Sequence, residues 1–406
     1  MRMNTTTVGH SAVDTTLSNR VAITGIGESE YAEGGGNSAP KLILDACRRA
    51  IDDAGLEVDD VDGVVVESEL MPETLPPDEV ASTLGLDLDH VAESLAVGAG
   101  TTAAPLLAAH ATEHGNAEHV LCYFGVDWAT KREELGAYEG SPYSYHTRNP
   151  LKADFEIPFG WVTQPVYLAA HARRHAYEFG TTERQLGEVA LQTRANAVGN
   201  PTAQRSEPLT IEDYLENPVI ADPFRILDCC LISDGAAAFI ISASDVAEQG
   251  PNPPVYVRGV GSGFDRTSDT EFMTQHSDFT SLPSAKSGPR AFEMAGIGPE
   301  DVDFAEVYDC FTITTIMQLE DLGFCEKGDG GRFVEEEGIT VADGTLPVNT
   351  HGGLLSHSYT LGVGHVVEAV KQLRGTAVNQ VQNAQLGVVA GWGESEHSTL
   401  VLEGDG

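Results

Sequence analysis

The chain has 406 residues, 62 of them acidic and 23 basic, which gives a formal charge of −39. A hydrophobic fraction of 41% supplies a large core and excludes a wholly disordered chain. A surface this negative repels phosphate backbones and anionic lipid, so nucleic acid and membrane surfaces are excluded as partners.

The opening segment, MRMNTTTVGHSAVDTTLS, is polar and lacks the apolar stretch of a signal peptide, so residues 1–19 are expected to form a disordered tail. No apolar run is long enough to cross a bilayer, which predicts a cytoplasmic protein. Acidic residues are spread along the chain and lysine is scarce, a composition suited to concentrated salt, where screening weakens self-repulsion. Cys47, Cys122, Cys229, Cys230, Cys310 and Cys325 show no CxxC or other metal-like spacing and sit in or beside apolar runs.

From Val21 the chain repeats itself. VAITGIG (Val21 to Gly27) recurs as VYVRGVG (Val255 to Gly261) at an offset of 234. AIDDAGLEVDDVD (Ala50 to Asp62) recurs as AFEMAGIGPEDVD (Ala291 to Asp303) at an offset of 241. Each copy opens with a β-branched run ending in glycine, followed by a helix-period segment and an apolar strand. Those strands are VDGVVVES (Val61 to Ser68) and VDFAEVYD (Val302 to Asp309). Strand, helix, strand at this spacing predicts parallel pairing through right-handed crossovers.

The copies also end alike. A helix over AVGAGTTAAPLLAAHA (Ala96 to Ala111) precedes the strand HVLCYFG (His119 to Gly125), and a helix over LGVGHVVEAVKQLRG (Leu361 to Gly375) precedes LGVVAGWG (Leu386 to Gly393). Between the copies lies an insertion with helical segments such as VYLAAHARRHAYEFG (Val166 to Gly180), after which DCCLISDGAAAFIISA (Asp228 to Ala243) closes the first copy. The expected domains are a first half over 20–127 plus 220–250, an inserted loop domain over 128–219 capping the junction, and a second half over 253–406. Ligands of such α/β sheets sit where glycine loops meet helix N-termini.

EVYDCF (Glu306 to Phe311), NTHGGLLSHSYTLGVG (Asn349 to Gly364), DCCLISDGAAA (from Asp228) and YEFGTTERQLGEVALQTRANAVGNPTAQ (Tyr177 to Gln204) together resemble the thiolase superfamily, in its sterol-carrier and lipid-transfer branch. The likeness runs from Val21 to the C-terminus. It implies an α/β duplicated thiolase fold, five-layered α-β-α-β-α, with an inserted loop domain that covers coenzyme A. It also implies a homodimer and a small partner protein with a zinc ribbon and an OB-fold. No metal and no tightly bound cofactor are expected on the chain itself; coenzyme A enters as part of the acyl-CoA substrate.

The four catalytic positions of a thiolase are all altered. The nucleophilic cysteine, which belongs at a helix N-terminus where the dipole favours a thiolate, aligns with Val97, flanked by Ala96 and Gly98. The late CxG loop aligns near Leu386-Gly387-Val388. The two histidines of the oxyanion holes align with Tyr308 and Tyr359. Paired tyrosines at these places resemble the thiolase-like aldolases, which cleave a β-hydroxyacyl-CoA by retro-aldol reaction without an acyl-enzyme. A phenol of pKa about 10 can donate to a developing enolate or exchange a proton with an alkoxide. Its lowering to neutrality would draw on helix N-termini and glycine-loop amides.

The resemblance thus assigns catalysis to Tyr308 and Tyr359, with His351 and His357 tuning them. It assigns substrate or coenzyme A contacts to Val97, Gly98, Gly100, Asp309, Cys310, Gly352, Gly353 and Ser358. Two other readings stand beside the aldolase: an acetyl-CoA acyltransferase with an atypical nucleophile, for which Ser94 is the nearby hydroxyl, and a non-catalytic acyl-CoA or lipid scaffold. Arg173, Arg174, Lys131 and Arg132 are candidate phosphate contacts, though ion pairs explain such residues as well. His171 and His175 share a helix face at metal-compatible spacing; without a third ligand a surface role is expected.

Overall fold

The computed structural model describes residues 20–67, 75–94, 98–135, 154–265, 278–393 and 395–405. In chain order the first half supplies β1 (Val21–Glu28), α1 (Ala39–Ala54), β2 (Gly63–Val66), α2 (Pro77–Leu84), β3 (His90–Glu93), α3 (Gly100–Glu113) and β4 (His119–Asp127). The insertion adds α4 (Trp128–Leu135), α5 (Gln164–Phe179), α6 (Glu183–Ala197), α7 (Ile211–Glu216) and a hairpin of β5 (Val219–Ala221) with β6 (Phe224–Arg225). β7 (Asp234–Ala243) and the short α8 (Ser244–Ala247) return the chain to the sheet. The second half follows with β8 (Val255–Phe264), α9 (Ser284–Ala295), β9 (Phe304–Val307), α10 (Thr312–Asp321), α11 (Gly330–Glu336), α12 (Val363–Leu373), β10 (Leu386–Gly393) and β11 (Glu396–Glu403).

One nine-stranded mixed sheet, in the order β3-β2-β4-β7-β1-β8-β11-β10-β9, carries both halves. From the seam outward the halves repeat: β1, antiparallel β7 and β4, then parallel β2, against β8, antiparallel β11 and β10, then parallel β9. β3 lies parallel to β2, and in the same place Val348 forms a parallel bridge with Ala305 of β9. The expected parallel pairing of β1 with β2, and of β8 with β9, is corrected here. Each pair runs in one direction, but two strands lie between its members, because the antiparallel pairs β7–β4 and β11–β10 are inserted.

Glycine explains why the repeated motif looks as it does. A Cβ on Gly25 or Gly27 would meet the backbone carbonyls of Ala50 or Ala46 at 2.2 and 2.1 Å; on Gly259 or Gly261 it would meet those of Ala291 or Ser287 at 2.4 and 2.0 Å. Both opening strands therefore let their helix, α1 or α9, lie directly on the backbone. Both helices then end on a left-handed glycine, Gly55 and Gly296, each at φ 71°.

α1 packs on β1, β7 and β4, and α9 on β8 and β11. α3 lies between the halves, touching β2, β4 and β7 on one side and β8, β10 and β11 on the other, with α12 beside it. Accordingly α3 is buried at Gly100 to Pro105, Ala108, Ala109 and Ala111 rather than along a single stripe. In the insertion, Thr130 ties α4 to Asp234 of β7, while α5 and α6 pack on α10, and α6 also on α11 and the turn Gly353–His357.

Candidate active site

The turn between Val348 and α12 carries Tyr359, and the end of β9 carries Tyr308. Asn349 adopts φ 52°, Gly352 109° and Gly353 56°, so the chain doubles back tightly. A Cβ on Gly352 would lie 2.5 Å from Ala197 of α6, and one on Gly353 would lie 2.2 Å from the Asp309 carboxylate. That carboxylate accepts the Leu354 and Leu355 N–H groups at 2.8 and 3.3 Å. Asn349 Oδ1 accepts the Val307 N–H at 2.7 Å, and the Gln318 amide donates to the Tyr308 carbonyl at 2.8 Å. The Tyr359 N–H donates to Ser233 Oγ at 2.8 Å, and Arg194 Nε of α6 donates to Ser356 Oγ at 2.9 Å. Asp309, Gly352 and Gly353 are thus parts of the frame that sets the two rings.

Within that frame the Tyr308 and Tyr359 hydroxyls lie 3.1 Å apart, hydrogen-bonded, with the rings at 70°. The residues are 4% and 6% exposed. Trp392 stands edge-on to Tyr308 and Trp128 packs against Tyr359 at 5.2 Å. Burial first, and then the neighbouring Tyr359, pushes the Tyr308 phenol well above its ordinary range. Tyr308 therefore keeps its proton at neutral pH, and either hydroxyl of the pair can donate in the bond they share. Cys310 is buried, and burial together with Cys230 pushes its thiol well above the usual value, so it offers no thiolate at neutral pH.

The first half contributes the opposite wall. Val97 lies outside the described residues. Gly98, at φ 93°, comes so close to the Trp392 carbonyl and the Tyr308 ring that a Cβ would sit 2.1 and 3.1 Å from them. Its N–H and that of Thr101 donate to the two oxygens of Glu67 at 2.5 and 2.9 Å. Glu67 is 1% exposed; burial raises its carboxyl to about 7 against the pull of these two N–H groups. The positive end of α3, where a thiolate would be stabilised, is thus occupied by a carboxyl of the chain itself. Gly100 opens α3 and its carbonyl accepts the Ser94 hydroxyl at 2.6 Å.

The alignment of Leu386-Gly387-Val388 with a late catalytic loop is corrected. β10 runs parallel to β9, so Gly387 and Val388 lie beside Phe304 and Ala305, at the start of that strand. It is the other end of β10, Gly391 and Trp392, that reaches Gly98.

The histidines occupy an adjoining polar layer. His357 bonds Ser358 Oγ through Nδ1 and Thr202 Oγ1 through Nε2, both at 2.9 Å, which also places Ser358. His351 turns to Glu306, with Nδ1 3.1 Å from Oε2, and its ring lies 4.8 Å from that of His357 and 5.3 Å from that of His365. Burial lowers His351 to about 3 and His357 well below its ordinary value, so both are neutral. Burial also opposes the charge on His365, but Asp309, 3.3 Å from its Nε2, and Glu306 outweigh it and hold the imidazole above its ordinary value. Burial raises Glu306 to about 7 and Glu368 to about 8, and Thr350 Oγ1 contacts them at 2.6 and 2.9 Å. Sequence reasoning missed Glu67, Trp392, Glu306, His365 and Glu368. For Glu67 a signal existed: an acid directly after the fully apolar run of β2.

The expected surface role of His171 and His175 is corrected. Both are 0% exposed. His171 Nδ1 meets the Phe279 carbonyl at 2.9 Å, and His175 Nε2 meets Glu320 Oε2 of α10 at 3.0 Å. Arg173 pairs with Asp222, Arg174 with Glu178, and Lys131 with Asp127.

A mixed α/β sheet with a central helix, a glycine loop at its N-terminus and the NTHGG turn facing it define a thiolase-like protein, and this chain belongs to the thiolase superfamily, in its sterol-carrier and lipid-transfer branch. The family model for the thiolase C-terminal domain-like region matches residues 266–404. The steroid side-chain-cleaving aldolase of Thermomonospora curvata is 34% identical over 379 residues, covering 90% of this chain and 93% of that protein. An acetyl-CoA acetyltransferase of Methanothermobacter thermautotrophicus is 34% identical over 381 residues, covering 91% and 94%. Among solved structures, the Ltp2-ChsH2(DUF35) aldolase superposes with a TM-score of 0.86 at 32% identity, covering 96% of this chain and 99% of that one.

Proposed function

We propose that the protein is a thiolase-like aldolase that cleaves a β-hydroxyacyl-CoA with a steroid-type side chain by retro-aldol reaction, without an acyl-enzyme. The observation that carries this is the buried contact between the Tyr308 and Tyr359 hydroxyls at 3.1 Å. In this reading Tyr308, whose phenol burial holds protonated, is the donor of that hydrogen bond and Tyr359, as the phenolate, its acceptor. That phenolate takes the proton of the substrate's β-hydroxyl as the Cα–Cβ bond breaks, giving a ketone and a thioester enolate. Tyr308 gives its proton to the enolate carbon, and Tyr359 returns the first proton to Tyr308 along their hydrogen bond. One proton enters and one leaves, so the pair is restored.

The aldolase of T. curvata supports this reading. Equal identity to an acetyltransferase does not oppose it, because the chemistry resides in the site rather than the fold. The acyltransferase reading lacks a nucleophile among the described residues: the Ser94 hydroxyl is spent on a carbonyl and Cys310 is a raised thiol. The rest of the reading follows the same family. The two halves of the sheet, joined at the short β1–β8 seam, stack as two β layers that with their helices make five. Residues 128–219 cover the coenzyme A moiety of the substrate, and the chain works as a homodimer with a DUF35-type partner bearing a zinc ribbon and an OB-fold.

The test incubates the protein, with and without such a partner, with β-hydroxyacyl-CoA and β-ketoacyl-CoA in molar KCl. Release of a ketone or aldehyde with a shortened acyl-CoA is the expected outcome. Cleavage of the keto substrate that depends on free coenzyme A would replace the aldolase with a thiolase.

A further inference from the structure

The acidic layer behind the tyrosines contains a set of ligands that the retro-aldol reaction does not use. Glu306 of β9, His351 of the NTHGG turn and Glu368 of α12 each offer one atom, and the three atoms lie within 4.8 Å of one another. The side chains are 0%, 5% and 4% exposed.

Two polar atoms of these side chains are stranded. Glu306 Oε2 and His351 Nδ1 are 3.1 Å apart, yet neither has a hydrogen-bond partner, because the oxygen lies off the line along which the ring nitrogen could bond it. A hydrogen bond needs that alignment; a shared ion needs the opposite. Two ligand atoms held at about 2.1 Å from one ion, at about 90–110°, are themselves about 3.0–3.4 Å apart, with each pointing at the ion rather than at the other. The neighbouring charges agree. Asp309 and Glu28 add two carboxylates to Glu306 and Glu368, against Lys371, which pairs with Glu28, and His365, which pairs with Asp309. Glu306 Oε1 accepts the Thr350 N–H at 2.9 Å and Glu368 Oε1 the Gln372 amide at 3.1 Å, with Thr350 Oγ1 touching both, so it is Glu306 Oε2 that is left without a donor.

We infer that Glu306, His351 and Glu368 form a binding site for one divalent transition-metal ion, structural in role, tying β9, the NTHGG turn and α12 together behind Tyr308 and Tyr359. One imidazole with two carboxylates suits Zn²⁺ or Mn²⁺ better than Ca²⁺ or Mg²⁺. The proposal departs from the expectation from sequence that the chain carries no metal, and it stands independently of the retro-aldol reading.

The test uses the full chain purified without any zinc-ribbon partner, stripped with EDTA and re-equilibrated in molar KCl with ZnCl₂ or MnCl₂ alone. Elemental analysis after gel filtration is expected to give one ion per chain, with a melting temperature several degrees above the stripped protein. Glu368→Gln and His351→Gln are each expected to lower occupancy at least tenfold, while Glu335→Gln, at an exposed acid, binds as the parent does. Should a variant misfold by circular dichroism, Co²⁺ in the parent chain decides: a visible absorption band of imidazole and carboxylate ligation supports the site. No such band, less than a tenth of an ion per chain from either metal, or unchanged stoichiometry in both folded variants would each overturn it.

Discussion

Tyr308 and Tyr359 lie 51 positions apart in sequence and meet because Asp309 and Asn349 lock their segments onto each other. Tyr308→Phe and Tyr359→Phe are each expected to lower turnover on the hydroxyacyl substrate at least about a hundredfold with folding intact, measured by steady-state kinetics. Cys310→Ala is expected to leave turnover within a few-fold, which separates this chemistry from thioester exchange on sulfur. Glu67 yields a pH dependence. Its carboxyl titrates at about 7 in the fold against 4.5 as a free side chain. The fold therefore binds that proton more tightly. The associated stability, at most about 3 kcal/mol, is full below pH 4.5 and is lost as pH rises to about 7. The melting temperature should fall across that interval by more in the parent than in Glu67→Gln. The tyrosines were legible in the sequence because each stands inside a long motif. The direction of the Tyr308 shift was not, since it depends on burial and on a second phenol supplied from elsewhere.

At the scale of elements, the internal repeat was readable because it records a contact. Gly25, Gly27, Gly259 and Gly261 mark where helix meets strand backbone, and such contacts tolerate no side chain. Gly27→Ala and Gly261→Ala are each expected to destabilise the protein by about 2 kcal/mol or more, since the colliding atoms are backbone carbonyls that cannot turn aside. Equilibrium denaturation measures this, and an unaffected midpoint for either variant would contradict the packing described. Strand partners were less readable, because β7 reaches β1 only after the whole insertion has been traversed. The register of β10 failed for a related reason: apolar alternation does not reveal which end of a strand abuts a loop more than 200 residues earlier. His171 and His175 misled because a polar pair on a helix gives no hint that the Phe279 carbonyl will meet one and α10 the other.

Over the whole molecule the charge dominates. With 62 acidic and 23 basic residues the formal charge is −39, so negative side chains far outnumber the cations available to offset them and repel one another. Raising KCl from about 0.1 to about 1 M shortens the screening length from about 10 to about 3 Å. Thermal stability is therefore expected to climb over that range, as read by calorimetry, and a flat or falling profile would contradict it. The seam between the halves is narrow, with Ala22 opposite Tyr256 and Ile23 opposite Val255. α3, by contrast, is wrapped by strands of both halves. Severing the gene between them, near Gly250, would strip an apolar helix of half its covering and leave the other piece with a hollow where that helix belongs. Neither fragment should accumulate in soluble form alone, whereas the two produced together should reassemble, a complementation assay that requires no knowledge of the substrate.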